Sequence, residues 1–599
     1  MKTKNVAERI IIYLLFLRSR CLAEVLETDI ECFVPEPAIE ITEYLPEYMK
    51  GGQNIVLEGQ HYPVIRADAF KGLDCFSLSL KSNSIEAIHG GAFGSSSIKV
   101  LDLSNNLLKC IFKSGLQVKG LEVLNLSKNQ ISYIDTESFS DGLMNLNLEY
   151  NRLTEFDTRN FPNLKNIRDI NLARNGLISI HFDLMTKIEK VDLSHNYLHE
   201  YNFSNLTSIT YLNLEHNKLR RIIGESFLNM ENLLELDLSS NMLEDILFMN
   251  NSFPKLIILK LQNNNIKHIP DNLFLKSDNL MELDLSRNYL RYFNFSNNQL
   301  KKVWRLKMNN MKLQKINPLQ FLNFDSLSEI ELSHNYLSDF NSFSFPKLWR
   351  LDLSHNLFKK IDNNFYNLKA LGSLDLSYNY IDSFDVAKCE LHRLWKIKLN
   401  NNNIAEISHS HFPKLNFLLL LDLSNNHLKT FSISGDGFQR LRVLDMSFNN
   451  LLTYQESIFD SLSSLRFLNL RNNFIDRVPS SVFFENSKLF YLDLSYNLIN
   501  SFKYNETFRK TSLKTFNIFG NPINCLHLRR IEEYSSQNGI AMDRCDARFL
   551  GNGKIPICVN YDCDCEYIYS PFTESFLQHA FHRRDIKNCS FDVLSHNGA

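Results

Sequence analysis

Apolar and polar residues alternate along this chain in short groups that return at a nearly constant interval. The recurring unit reads L-x-x-L-x-L-x-x-N-x-L, and three of its copies are LEVLNLSKNQI, LWRLDLSHNLF and LFYLDLSYNLI. Alternation of this kind is typical of a short strand that buries every second side chain. Each unit therefore predicts one strand, a turn at the Asn and a return segment to the next strand.

The Asn of the unit defines the register of the repeats. From Asn83 to Asn521, nineteen steps cover 438 residues, so the mean unit has about 23 residues, a period typical of stacked repeats. Ile55 and Leu57 keep the apolar spacing one step earlier, and we count about 21 units with a degenerate first one. The positions of the Asn column are Asn83, Asn106, Asn129, Asn151, Asn175, Asn196, Asn217, Asn241, Asn264, Asn288, Met311, Asn335, Asn356, Asn379, Asn402, Asn426, Asn449, Asn473, Asn497 and Asn521.

The longer units also carry a Phe ten residues after the Asn. In a stack of such units the leucines point inward, the Asn bonds backbone groups at the turn, and the Phe fills the space under the return segment. Packing alone accounts for these residue types, so any function must lie in the outward x positions. The Phe positions are Phe93, Phe139, Phe161, Phe227, Phe274, Phe321, Phe412, Phe459 and Phe483.

This unit resembles the 24-residue leucine-rich repeat of animal extracellular proteins, as in Toll receptor ectodomains. The resemblance covers most of the chain. It implies an α/β leucine-rich repeat solenoid, a horseshoe of about 21 repeats with a parallel sheet on its concave side and a disulfide-closed C-terminal cap. Scaffolds of this type rarely carry catalysis, and the chain contains no G-x-S-x-G, P-loop or H-E-x-x-H motif. We therefore predict no enzyme, no cofactor and no metal site.

The N-terminus has the features of a secretory signal peptide. Basic residues and an apolar run from Ile10 to Leu17 precede the small residue Ala23, where we predict cleavage. No later segment is long and apolar enough to span a bilayer, so the sequence predicts a secreted, extracellular protein. The predicted organisation is a signal peptide at 1–23, an N-terminal cap at 24–52, leucine-rich repeats at 53–521, a C-terminal cysteine cap at 522–566 and a tail at 567–599.

Six of the eleven cysteines lie in the last 75 residues, which predicts disulfides and an oxidising compartment. Asn521-Pro522, Cys525, a predicted helix and Cys545 resemble the C-terminal cysteine cap of the family, and loosely that of secreted insect leucine-rich-repeat immune proteins. The remaining pairing stays open. The disulfide candidates are Cys32, Cys75, Cys525, Cys545, Cys558, Cys563, Cys565 and Cys589.

Two cysteines leave alternatives open. Cys75 replaces an inward leucine, so it either pairs with Cys32 in a small N-terminal cap or is a buried free thiol. Cys389 is about six or more repeats from its nearest neighbouring cysteines in sequence, which is too far for a bridge within the solenoid. It is either a buried filler or exposed to another chain, which leaves a disulfide-linked or non-covalent dimer open.

Seven N-x-S/T sequons agree with secretion, although an Asn-rich chain forms some by chance. The formal net charge of −2 gives no global field that favours nucleic acid or an anionic membrane, so we predict neither as a partner. The glycosylation candidates are Asn125, Asn202, Asn205, Asn250, Asn294, Asn505 and Asn588.

All three tryptophans occupy the position seven residues before the Asn, in units two apart, and a cation follows each. Strand spacing places them roughly 10 Å apart. They form either an exposed aromatic and cationic strip, the mixture that dominates binding hot spots, or a packing cluster. The candidate ligand-binding residues are Trp304, Arg305, Lys307, Trp349, Arg350, Trp395, Lys396 and Lys398.

Two further features are candidate sites. His195 with His216, and His334 with His355, lie in adjacent units just before the Asn, where strand spacing predicts about 5 Å between them. Such pairs could sense acid pH or share a metal, but SHN is a common filler of the unit and explains both pairs. Met311 replaces the Asn inside a basic interval, and a broken local rule marks either a functional site or an irregular loop.

The favoured hypothesis is a secreted leucine-rich repeat recognition protein that binds a protein or microbial glycan on its concave surface, in innate immunity. The alternative is an extracellular matrix or cell-adhesion protein, or the ectodomain of a Toll-type receptor without its membrane anchor. Neither composition nor spacing identifies the ligand.

Overall fold

The computed structural model describes residues 54–542, apart from short gaps in the return segments and the side chain of Cys525. The described residues fall into two compact units, divided between Leu256 and Ile257. The gaps are 183–184, 200, 202, 204, 223–226, 228, 247–252, 271–272, 275–276, 291–294, 296–299, 318–320, 322–323, 341–344, 362–364, 367, 413, 434–436 and 453–456.

In the described part of the first unit, short strands pair in parallel, one from each repeat. They are β1 (Asn54–Val56), β3 (Asp74–Ser79), β5 (Ser97–Asp102), β7 (Val123–Asn125), β9 (Asn145–Asn147), β11 (Asp169–Asn171), β13 (Lys190–Asp192), β14 (Tyr211–Asn213) and β16 (Glu235–Asp237). Return segments pair as β2 (Val64–Ile65) with β4 (Ala87–Ile88), β6 (Cys110–Ile111) with β8 (Tyr133–Ile134), β10 (Glu155–Asp157) with β12 (Ser179–His181), and β15 (Arg221–Ile222) with β17 (Asp245–Ile246). Two 3-10 turns span Thr158–Asn160 and Pro162–Asn166.

The second unit repeats this arrangement. Its main strands are β18 (Ile258–Lys260), β19 (Glu282–Asp284), β20 (Arg305–Lys307), β21 (Glu329–Glu331), β22 (Arg350–Asp352), β24 (Ser373–Asp375), β26 (Lys396–Lys398), β28 (Leu420–Asp422), β30 (Val443–Asp445), β31 (Phe467–Asn469), β32 (Tyr491–Asp493) and β33 (Thr515–Asn517). Return segments pair as β23 (Lys360–Ile361) with β25 (Ser383–Phe384) and β27 (Glu406–Ser408) with β29 (Thr430–Ser432), and a 3-10 turn spans His409–His411. The helices are α1 (Tyr504–Thr507) and α2 (Cys525–Gln537).

The register of the strands stacks identical positions of neighbouring repeats. Leu351 of β22 pairs with Leu374 of β24, which in turn pairs with Ile397 of β26. All three side chains are fully buried, whereas the residues on either side of Leu351 and of Ile397 are at least partly exposed. The predicted parallel-strand solenoid is confirmed.

The Asn column forms the predicted hydrogen-bonded ladder. Nδ2 of Asn379 donates to the carbonyls of Leu353 and Leu376, each at 3.0 Å, and its Oδ1 accepts from the Phe358 amide at 3.1 Å. The preceding residue, Tyr378, has a φ of 54°, and this left-handed turn recurs before most ladder positions. The ladder thus satisfies backbone groups that would otherwise be buried without partners.

Met311 breaks this ladder. It is fully buried, and the amides of Met311 and Leu313 still bond Oδ1 of Asn335, the next rung. A methionine has no oxygen to accept from the preceding repeat, so the Leu290 amide loses the acceptor that its counterparts have.

The predicted Phe column is confirmed, because all nine of these rings are buried, none more than 7% exposed. They contact other rings along the return side. Phe459 stacks on Phe483 with ring centroids 5.8 Å apart, and the ring centroids of Phe384 and Phe412 are 5.6 Å apart. The Phe ten residues after the Asn is therefore a packing residue, as predicted.

The predicted helix after Asn521-Pro522 is confirmed as α2. Asn524 caps it by accepting a hydrogen bond from the Leu526 amide. Beyond the helix, Ala541 forms a parallel bridge with Thr515 of β33, and the Phe516 amide donates to the Ala541 carbonyl at 2.9 Å. This segment gives partners to backbone groups of the last strand. Closure of the cap by Cys525, Cys545, Cys558, Cys563, Cys565 and Cys589 stays a prediction, since all but Cys525 lie outside the described residues.

The structure corrects the prediction for Cys75. Its side chain occupies an inward leucine position, is 4% exposed and is a free thiol, so pairing with Cys32 is wrong. Burial, with a smaller contribution from the charge of Asp74, raises the pKa of this thiol. Cys110, which was not among the predicted disulfide candidates, is disulfide-bonded. Cys389 is 2% exposed, so it is a buried packing residue, and the alternative of a thiol exposed to another chain is wrong.

The predicted signal peptide, its cleavage site at Ala23, the N-terminal cap and Cys32 lie outside the described residues. Asn202, Asn250, Asn294 and Asn588 also lie there. Among the other sequons, Asn205 and Asn505 are exposed. Asn125 is half-buried at the end of β7, where its Oδ1 accepts from the Ser127 amide. Within the described residues, no helix has the length and hydropathy needed to cross a membrane.

Candidate ligand-binding groove

The tryptophans of the second unit lie at the edge where each main strand begins. Trp349 precedes β22 and its amide donates to Ser328, whereas Trp395 precedes β26 and its amide donates to Gly372, both at 2.8 Å. These backbone bonds hold the two indoles at one edge of the sheet. Trp349 is 45% exposed, and Trp395 is half-buried.

Trp349 and Trp395 stack across the repeat that separates them. Their ring centroids are 6.0 Å apart with an interplanar angle of 29°. Gly372 lies between them, and a Cβ there would be 2.7 Å from Cε3 of Trp349 and 3.1 Å from Cδ1 of Trp395. Only a glycine lets the rings approach this closely. Trp304 is 39% exposed and makes no ring contact with them in the described structure.

A groove of about 1040 Å³ opens beside this pair, and we name it the Trp groove. Its apolar lining is Trp349, Trp395, Phe417 and Leu419, with Gly372 beneath the indoles. Its cations are Lys347, Arg393, Arg440 and Arg442.

The four cations of the Trp groove are exposed, and none of them forms an ion pair in the part of the chain that the structure describes. No carboxylate belongs to the described lining. Arg440 instead places its guanidinium 5.1 Å from the centre of the Phe417 ring, a cation–π contact. The groove therefore combines flat apolar faces with unneutralised positive charge.

The predicted cations Arg305 and Lys307 on the sheet face form ion pairs, unlike the cations of the Trp groove. Nη2 of Arg305 lies 3.1 Å from Oε1 of Glu331, and Nζ of Lys307 lies 2.9 Å from Oε1 of Glu282. Burial lowers the pKa of Arg305, but the hydrogen bond and charge of Glu331 with the charge of Glu282 outweigh it and raise the pKa. These ion pairs neutralise both cations within the sheet.

Lys398 is likewise engaged, with its Nζ 3.0 Å from Oδ2 of Asp375. The other two predicted cations, Arg350 and Lys396, form no ion pair among the described residues. Of the eight predicted ligand-binding residues, the structure thus brings Trp349 and Trp395 together in the groove. Arg305, Lys307 and Lys398 instead form ion pairs with carboxylates of the sheet. Their role in binding stays a prediction.

The cationic and phenyl side chains of the groove were not predicted from the sequence, namely Lys347, Arg393, Phe417, Arg440 and Arg442. The first four occupy the column nine residues before the ladder Asn, and Arg442 lies in the Trp column. Aligning the column at nine residues would have shown the first four, because only the buried column at eight residues separates it from the Trp column.

Both histidine pairs are brought together as strand spacing predicts. Their ring centroids are 4.4 Å apart in His195–His216 and 3.9 Å apart in His334–His355, and Tyr378 extends the second stack at 4.2 Å from His355. Burial and the charge of His334 lower the pKa of His355. No cluster of three or more metal-binding side chains occurs within the described ranges.

A family model described as leucine rich repeat matches residues 141–198, 197–243, 346–404, 392–451 and 463–523. The matched segments of the chain carry leucine-rich repeats. No curated protein sequence matches it.

Two solved structures are similar to this one in fold. The Toll–Spatzle complex of Drosophila has 19% identity and a TM-score of 0.52, and the match covers 82% of this chain and 83% of that chain. YopM from Yersinia enterocolitica WA-314 has 20% identity and a TM-score of 0.52, with 78% of this chain and 87% of that chain covered. At these identities the similarity establishes the fold alone.

Proposed function

We propose that this leucine-rich repeat protein is a secreted, non-enzymatic recognition protein that binds its ligand in the Trp groove. The observation that carries the proposal is the coincidence of two stacked indoles, of which Trp349 is exposed, with four cations that have no acidic partner in the described structure. Trp and Arg are the residues most enriched in binding hot spots, because they bury large areas and make directed polar contacts.

The polar groups of the groove favour a ligand that brings oxygen acceptors. The indole Nε1 of Trp395 is buried and has no acceptor in the described part of the chain, and an unmet buried donor is unfavourable. The cations attract anionic groups and disfavour cationic partners. An anionic ligand with apolar faces would therefore complement both components of the groove.

Several features support an extracellular location. The N-terminal apolar run from Ile10 to Leu17 ahead of Ala23, the sequons and the cysteine-rich C-terminus are typical of secreted chains, and Cys110 is disulfide-bonded. The similar Toll structure is a complex with Spatzle, described as a molecular hub in Drosophila development and innate immunity. We extend ligand recognition and an immune role to this chain, but not the identity of that ligand.

Binding of purified secreted protein to panels of candidate proteins and polysaccharides tests the proposal. Trp349→Ala should weaken binding of any ligand found by about 2 kcal/mol, roughly thirty-fold in Kd. Phe490→Ala is the matched control, because Phe490 is an exposed aromatic residue in the same column but lies outside the groove. Equal losses in both variants, or a lower melting temperature of Trp349→Ala with unchanged binding, would contradict a groove site.

A further inference from the structure

Three of the four cations of the Trp groove are spaced by two repeats, and the fourth, Arg442, lies in the same unit as Arg440. In the column nine residues before the Asn, Lys347, Arg393 and Arg440 occupy alternate units, and Ala370 and Phe417 occupy the units between them. Adjacent strands of a sheet lie roughly 5 Å apart, so these cations follow one another at roughly 10 Å. Each unit between them supplies an uncharged side chain.

Flat apolar surfaces accompany this row of charges. Trp349 and Trp395 lie two residues further along the same units as Lys347 and Arg393, and Phe417 lies between Arg393 and Arg440. Charged and uncharged side chains therefore alternate along the groove, and aromatic rings lie beside them.

We propose that the Trp groove binds a linear acidic polysaccharide in which every second sugar carries a carboxylate or sulfate. This inference rests on the proposed function and names its ligand class. A pyranose ring is about as long as one strand spacing, so acidic groups on alternate sugars repeat at the same interval as Lys347, Arg393 and Arg440. The C–H faces of the sugars stack on the indole and phenyl rings.

Other polyanions match this pattern less well. A single nucleic-acid strand carries a charge on every nucleotide, so many phosphates would face Ala370, Phe417 or Ser464 instead of a cation. Its bases do stack on aromatic side chains, and for this reason RNA belongs among the probes. An acidic peptide has no inherent alternation of charge, so it matches the groove only through a particular sequence.

Equilibrium binding of the secreted chain to length-matched polymers tests the inference. The probes are a polymer of alternating glucuronate and N-acetylglucosamine, a polygalacturonate with acid on every sugar, neutral dextran, poly-glutamate and poly-uridine RNA. We expect the alternating polymer to bind at least ten-fold more tightly than the others and to weaken as salt screens the charges. Trp349→Ala and Arg393→Ala should each reduce this binding by roughly thirty-fold, with Phe490→Ala unchanged.

A charge-shift variant tests the spacing itself. Arg393→Ala combined with Ala370→Arg keeps the net charge and places two cations on adjacent units. It should lose the preference for the alternating polymer over polygalacturonate. An unchanged preference, or equal binding of both polymers by the wild type, would overturn the spacing argument.

The outcomes separate this inference from the proposed function. If poly-glutamate or RNA binds best and Trp349→Ala still abolishes that binding, the groove is a binding site and the polysaccharide assignment is wrong. If neither Trp349→Ala nor Arg393→Ala affects any probe that binds, the proposed function itself fails. Circular dichroism of each variant checks that these exposed substitutions leave the fold intact.

Discussion

Replacing the ladder residue Asn379 by leucine measures what one rung contributes to the fold. Asn379 is 6% exposed and its side chain bonds two repeats. Leucine is similar in size, and Met311 shows that the ladder position accepts an apolar side chain. The substitution therefore removes hydrogen bonds with little change in volume.

The structure shows which partners would be left unsatisfied. The Leu353 carbonyl keeps a hydrogen bond from Asn356, and the Leu376 carbonyl keeps one from Asn402, each at 3.0 Å. The Phe358 amide, whose bond to Asn379 Oδ1 is 3.1 Å long, loses its acceptor. A buried donor without a partner costs about 1–3 kcal/mol, and each lost bond adds about 1 kcal/mol before relaxation. We expect a total loss of about 2–4 kcal/mol in the free energy of unfolding.

Urea unfolding followed by circular dichroism provides the measurement, with the midpoint and m-value determined for each variant. Asn403→Leu is the matched control, because the same chemical change occurs on an exposed residue one position beyond a rung. Surface substitutions of this kind usually stay within about 0.5 kcal/mol. A loss for Asn379→Leu no larger than that of the control would refute the ladder argument. Faster amide exchange at Phe358 would locate the effect in the expected repeat.

Three further predictions concern single residues. Met311→Asn should restore the missing rung and stabilise the chain by about 1 kcal/mol in urea unfolding; a loss of stability would mean that the buried methionine contributes more than the hydrogen bonds. Burial and the charges of Asp375 and Glu331 raise the pKa of Asp352, so its ionised form is unfavourable in the folded state at neutral pH. Asp352→Asn should therefore raise the melting temperature at pH 7, with a difference that shrinks as falling pH protonates the wild-type carboxyl; no difference at pH 7 would contradict this. Because the folded pKa of His355 is lowered from 6.5, stability should fall as pH drops below that value. His334→Gln removes the neighbouring charge and should reduce this loss in melting scans between pH 7.5 and 5, and an unchanged pH profile would argue against the coupling.

Much of the fold could be predicted because each repeat buries its residues locally. The inward leucines, the ladder Asn and the return-side Phe recur at fixed offsets, and stacking identical units places identical residues in contact. The position of the tryptophans at one edge followed from the same register. Alternation of burial along a strand needs no knowledge of distant partners, so the sequence alone is sufficient for it.

Only the tertiary structure determines which of the cations and tryptophans remain free to contact a ligand. Arg305 and Arg393 look alike in sequence, because each is a cation within two residues of a tryptophan. Glu331 nevertheless neutralises Arg305, whereas no described carboxylate reaches Arg393. The indoles of Trp349 and Trp395 meet only because Gly372 leaves space between them. Such contacts join side chains from different repeats, twenty or more residues apart, and depend on rotamers and on the charges of neighbouring strands. The repeat pattern determines where a residue is placed, whereas its neighbours across the stack determine whether it is free to bind.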